Sequence, residues 1–134
     1  MSKIKLATVS LDGCSGCHMS LQDIDEALAV VARKADIVYG PLVDAQEFPE
    51  GVDVTLVEGA ISNQDDLKKI QTIRRRSRMI VSLGDCAVTG NVPAMRNTIP
   101  VKQLLDRVYV EGATATPKPP GGEESGSVAT TQPQ

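Results

Sequence analysis

Cys14 and Cys17 stand three positions apart with Gly16 between them. A C-x-x-C turn of this kind puts two thiolates on one side of a tight loop, and the glycine lets the backbone come close to a bulky inorganic group. A third cysteine, Cys86, follows Gly84-Asp85 much further along the chain. Soft thiolates, usually four, are what a 4Fe-4S cluster requires, and backbone amides of a glycine-rich turn can hydrogen-bond its sulfides. Three other readings stay open at this point. Zinc accepts Cys together with His, but His18 directly follows Cys17, and adjacent residues rarely reach one ion comfortably. A thioredoxin-like dithiol of Cys14 and Cys17 would leave Cys86 without a role. A buried cysteine pair with no metal is the plainest possibility.

Glu58 closes the apolar run Val54 to Val57 in Val57-Glu58-Gly59-Ala60. Buried there, its carboxyl could hold and pass a proton; exposed, it would favour the start of the helix that begins near Asn63. The run Arg74-Arg75-Arg76-Ser77-Arg78 is the one concentrated charge cluster. At a helix C-terminus it opposes the dipole as a solvated face and supports no functional claim.

The elements that must position these groups alternate. Lys3 to Ser10 (KIKLATVS) is short, apolar and β-branched, and ends at Asp12-Gly13, which predicts a first strand. From His18 to Lys34 the apolar residues Leu21, Ile24, Leu28 and Val31 recur three or four apart, the pattern of an amphipathic helix. Strands follow at Asp36 to Tyr39, Asp53 to Glu58 and Met79 to Leu83. The loop from Gly40 to Gly51 separates the first two of these, and a helix to about Arg76, with Ser62 and Asp65 at capping-box spacing, precedes the last. A further helix is expected over Val101 to Val110. Short apolar strands alternating with helices imply a parallel sheet joined by right-handed crossovers, an α/β three-layer sandwich. In such a sheet ligands collect outside the carboxyl ends of the strands. Cys14, Cys17, Glu58 and Cys86 all follow or close a strand there.

Length and composition bound the rest. The 134 residues suit one domain, and 41% hydrophobic with 23% charged residues is globular composition. Tyr39, Phe48 and Tyr109 are the only aromatics and the net charge is -3, so base stacking and phosphate attraction are both weak and no nucleic acid partner is expected. No apolar run approaches a membrane span and no signal peptide precedes Ile4, so no membrane insertion and a cytoplasmic location are expected. Without export, three cysteines point to metal, redox chemistry or burial rather than a disulfide framework. Residues 112–134 hold four Pro and four Gly with almost no apolar bulk, so a folded domain over 1–111 is expected to be followed by a flexible tail or truncated loop over 112–134.

Taken together, Asp12-Gly13-Cys14-Ser15-Gly16-Cys17-His18-Met19-Ser20, Val57-Glu58-Gly59-Ala60-Ile61, Gly84-Asp85-Cys86-Ala87-Val88 and Asn91 to Asn97 (NVPAMRN) resemble the small subunits of cytoplasmic bidirectional, NAD(P)-linked NiFe hydrogenases, a group within the complex I 20 kDa subunit family. The resemblance runs in order over about residues 3–111. It implies a flavodoxin-like iron–sulfur domain over 1–111 and a proximal 4Fe-4S cluster, with Cys14, Cys17 and Cys86 matching three of four ligands. It further implies a NiFe large subunit that turns over hydrogen, and flavin and iron–sulfur diaphorase subunits that exchange electrons with NAD(P). Glu58 matches a carboxylate near the cluster and the large-subunit interface, on a proton or hydrogen-bond path. The family's fourth ligand belongs to a Pro-Gly-Cys-Pro-Pro motif after a final strand, and this chain stops inside the Pro-rich loop before it. The chain therefore reads as a shortened form, with its fold incomplete at the C-terminus and a fourth ligand from water, His18 or another chain as the remaining options. The reading from a different class is an iron-free dithiol redox protein, or an assembly module, using Cys14 and Cys17.

Overall fold

The computed structural model describes residues 3–111; the expected tail at 112–134 lies outside them. Four strands, β1 (Ile4–Ser10), β2 (Ala35–Tyr39), β3 (Val52–Glu58) and β4 (Ser77–Leu83), form one all-parallel sheet in the order β2-β1-β3-β4. That is the order of a flavodoxin-like doubly wound sheet, and the direction of winding reverses between β1 and β3.

Register carries the functional consequence. Ser10 pairs with Glu58, and Glu58 with Leu83, so three strands end level with one another. Chemistry placed a few residues beyond each strand therefore lands on a single edge. The same register sorts the faces. Ala7, Val9 and Val57 point to the side covered by helix α3 (Gln64–Arg76), where they pack with Ile73, Val52 and Phe48 as the buried core. Phe48 comes from the β2–β3 loop and meets Tyr39 edge-on at 5.2 Å. Thr8 and Ile37 look to the opposite side, against α1 (Gly16–Gln22) and α2 (Glu26–Lys34).

The α/β three-layer arrangement expected from the alternation is thus present, with three local differences. The single helix expected over His18 to Lys34 is two, because the backbone breaks at Asp23–Asp25, where Asp25 takes a positive φ of 49°. Short Asp side chains bond readily to nearby backbone and tolerate this conformation, so two of them in three residues interrupt a helix whose apolar stripe runs on unbroken. The cap of α3 sits one residue later than expected: Asn63 accepts from the Asp66 amide at 2.8 Å, and the Asp66 carboxylate accepts from the Ser62 amide at 3.1 Å. Beyond β4 come α4 (Asp85–Thr89), α5 (Asn91–Ala94), a 3-10 turn over Met95–Thr98 and α6 (Val101–Leu105). The helix expected over Val101 to Val110 continues past Leu105 as a wider π turn at Asp106–Val110.

The arginine run is structural. Arg76 pairs with Glu50 at 2.7 Å and donates to the Phe48 carbonyl, pinning the β2–β3 loop, while Arg74 donates to the Ser77 carbonyl at 3.3 Å. No helix of the described residues is long and apolar enough to cross a membrane.

Candidate cofactor site at the carboxyl edge of the sheet

Past the ends of β1 and β3 the two strands stay bonded. The Leu11 amide donates to the Glu58 carbonyl at 2.9 Å, and Asp12 and Ala60 exchange hydrogen bonds of 3.1 and 2.7 Å as an isolated antiparallel bridge. The crossing is close enough to require Gly59, which has φ of 83° and where a Cβ would lie 2.8 Å from the Leu11 backbone. The C-x-x-C turn is thereby fixed beside Glu58 before its own helix begins. Ser15 enters α1 in the left-handed region with φ of 61°, and its carbonyl receives the Met19 amide at 3.0 Å.

The third cysteine arrives from β4. Gly84, with φ of 85°, turns the chain into α4 directly against Cys17, so closely that a Cβ at position 84 would overlap the Cys17 sulfur. Cys14 is exposed, and Cys17 and Cys86 are partly buried. The Cys17 thiol is pushed above the usual cysteine range, first by burial, then by the Glu58 carboxylate, then by Cys14 and Cys86. A thiolate at Cys17 is thus disfavoured by its own neighbours, and a cationic centre among them would reverse the sign of that interaction. The donors are soft, partly open and convergent, which suits an iron–sulfur cluster. Among the described residues no group of three or more His, Cys, Asp and Glu is drawn tightly enough around one point to hold a single metal ion. A cluster several atoms across is gripped by thiolates that stand further apart than the ligands of one ion.

Glu58 is 2% exposed. This rules out the exposed carboxylate considered from the sequence, and the cap of α3 is provided by Asn63 instead. Its Oε1 accepts from the Ser10 hydroxyl at 2.6 Å and lies 3.5 Å from Nδ1 of His18. His18 is buried; it lines one small cavity with Thr8, Leu21, Gln22 and Pro41 and another with Ser10 and Ser15.

Four contributors were not legible in the sequence. Asp12 accepts from the Ser62 hydroxyl, and the Arg96 guanidinium donates to the Ser62 carbonyl, tying the C-x-x-C loop, the β3 loop and the segment after α5 together. Ser10 meets Glu58 only through strand register. Arg96 lies inside the NVPAMRN motif, the one signal that could have pointed to it.

The model of the NADH ubiquinone oxidoreductase 20 kDa subunit family matches residues 14–119, from the first cysteine to beyond the last described helix. The chain belongs to this family. Within it, the chain is similar to a subunit of the F420-non-reducing hydrogenase vhu of Methanocaldococcus jannaschii, with 41% identity over 83% of the chain and 39% of the relative. It is also similar to the delta subunit of the NAD-reducing hydrogenase HoxS of Cupriavidus necator, 39% identical over 86% of the chain and 55% of the relative. The chain thus spans about half or less of these curated relatives. Among solved structures, a chain of an NAD+-reducing [NiFe]-hydrogenase in the H2-reduced state superposes with a TM-score of 0.84 and 34% identity, over 99% of this chain and 72% of that one.

Proposed function

We propose that this chain is the electron-transfer subunit of a cytoplasmic NiFe hydrogenase, holding a 4Fe-4S cluster at Cys14, Cys17 and Cys86. The observation that carries the reading is the meeting of the two cysteine-bearing turns, with Gly84 cleared of any side chain against the Cys17 sulfur. When bound, such a cluster supplies one-electron transfer. Electrons would pass between the NiFe site of a large subunit and flavin and iron–sulfur diaphorase subunits that react with NAD(P). The names of the relatives support this assignment of partners.

The chain's own residues do three things in this scheme. Three thiolates bind, leaving one iron to a further donor. Gly13, Gly16 and Gly84 keep side chains away from the edge where the inorganic group would sit. Glu58, buried beside Cys17, holds a proton-accepting oxygen at the same edge, on a proton path or at the subunit interface. On the segments beyond the carboxyl ends of the strands, Met19 on α1, Ile61 after β3, Val88 on α4, and Val92 and Met95 beyond it are exposed apolar residues. An apolar margin around a redox centre is what a partner subunit would cover, excluding water from the transfer path.

The iron-free dithiol reading leaves Cys86 without a role, although Cys86 stands close enough to act on the Cys17 thiol. Cys86→Ser separates the two. Under the cluster reading it abolishes or converts the visible absorption of the reconstituted chain; an unchanged spectrum removes Cys86 from the ligand set.

A further inference from the structure

The stretch from Gly84 to Glu111 carries Cys86, and little apolar burial holds it to the rest of the molecule. Val88, Val92 and Met95 are 67, 66 and 69% exposed, so these three contribute little transfer energy to docking it. A cavity of about 630 Å³ is lined by Val57, Ile70 and Ile80 of the body and by Cys86, Ala87 and Pro93 of this stretch. Its polar contacts are almost all internal. The Gly90 amide returns to the Cys86 carbonyl and the Ala94 amide to the Gly90 carbonyl, each at 3.1 Å. The side chains of Thr89, Thr98, Lys102 and Arg107 bond to residues no more than four positions away. Among the described residues, one side-chain hydrogen bond crosses from this stretch to the body: Arg96 donates through Nη2 to the Ser62 carbonyl.

The acceptor is itself anchored. Ser62 is 4% exposed, its hydroxyl donates to Asp12, and its amide donates to the Asp66 carboxylate at 3.1 Å. Asp12 is in turn bridged to Ala60 and stands two residues before Cys14. Hydroxyl to carboxylate and guanidinium to carbonyl are both charge-assisted bonds, stronger than bonds between neutral groups. We infer that Arg96 is the positioning residue that holds Cys86 beside the C-x-x-C turn. The strands fix one side of the site, where Gly84 meets the Cys17 sulfur. Arg96 closes the other, reaching Cys14 through Ser62 and Asp12, and Cys86 through Ala94 and Gly90. Gly90 serves the same connection: its φ is 85° and a Cβ there would lie 2.8 Å from that of Ala94, so α4 and α5 meet with no side chain between them. A surface arginine without this task could be removed with Cys86 left in place. The purpose of the latch rests on the cluster reading, but its geometry concerns the protein alone and is testable without iron.

In the metal-free full chain carrying Cys14→Ser, Cys17 and Cys86 are the only thiols left. A bifunctional bimane, which fluoresces once both of its arms have reacted, then reports their approach. Arg96→Met is expected to slow intramolecular bridging roughly tenfold, the scale of losing one charge-assisted hydrogen bond, with far-UV circular dichroism unchanged. Arg96→Lys, which keeps a donor for the carbonyl, recovers most of the rate. Arg74→Met removes a cation from the same cavity, one bonded only to nearby Ser77, and leaves the rate as it was. Bridging as fast in Arg96→Met as in the parent, as slow in Arg96→Lys as in Arg96→Met, or equally slowed by Arg74→Met overturns the inference. After reconstitution with all three cysteines present, Arg96→Met retains less iron through desalting and Arg96→Lys as much as the parent; equal retention in Arg96→Met overturns it too. An unsubstituted chain that takes up no iron would strike at the cluster reading instead and leave the bridging result standing.

Discussion

A methyl group at position 84 would overlap the Cys17 sulfur on a backbone with φ of 85°, a conformation that side chains other than glycine's rarely adopt. Gly84→Ala is therefore expected to separate the two cysteine turns and lower iron uptake on reconstitution, while far-UV circular dichroism stays close to that of the parent. Retained iron would mean that the turns need not touch. Cys17 allows a second check. Its thiol is raised, so at neutral pH a smaller fraction is thiolate than for an ordinary cysteine, and that fraction grows only as pH climbs through the raised value. In the metal-free chain, alkylation mapped by mass spectrometry should modify exposed Cys14 before Cys17, with the Cys17 rate rising at more alkaline pH. Faster labelling of Cys17 at neutral pH would contradict the arrangement. Cysteines and Glu58 could be singled out from residue type and spacing, because metal and proton chemistry restrict which residues serve. Ser10, Asp12, Ser62 and Arg96 could not. Their partners lie 48, 50 or 34 positions away, and only strand register and loop crossing bring them together.

At the scale of elements, the strands were legible because each is a short apolar run ended by turn residues, and the outcome differs from the sequence pattern by one or two residues. Pairing extends them: Val52 and Ser77 join β3 and β4 as partners of each other, information held by neither segment alone. The break between α1 and α2 was hidden, since Leu21, Ile24, Leu28 and Val31 keep helical spacing through it and only the paired aspartates mark it. Capping follows the same lesson, because Asn63 and Asp66 lie one residue beyond the Ser62 and Asp65 pair that fits the motif equally well. Asn63→Ala should cost about 1 kcal/mol in chemical denaturation, and a comparable loss from Gln64→Ala instead would misplace the cap. Ile73, 1% exposed and central to the α3 face, is a larger test. Ile73→Ala is expected to cost about 2–5 kcal/mol, measured in the same way.

For the whole molecule, the fold supplies a level row of strand ends, and evolution of function needs only loops beyond it. The chain spans 72% of the solved structure it resembles, yet the edge holding Cys14, Cys17, Glu58 and Cys86 lies entirely within the described residues. The apolar margin belongs to this scale as well. If the proposed large-subunit partner covers this margin, Val92→Asp together with Met95→Asp should weaken its binding roughly tenfold or more, measured by titration of the reconstituted chain, with its iron content unchanged. Binding that is unaffected would move the interface elsewhere. Everything at this scale depends on the three thiols holding one cluster. Anaerobic reconstitution of the full chain with iron and sulfide, followed by iron and sulfide analysis alongside the visible spectrum, tests that most directly. About four irons per chain, with a broad absorption near 400 nm that is lost in Cys86→Ser, is the expected result; protein that remains free of iron would contradict it.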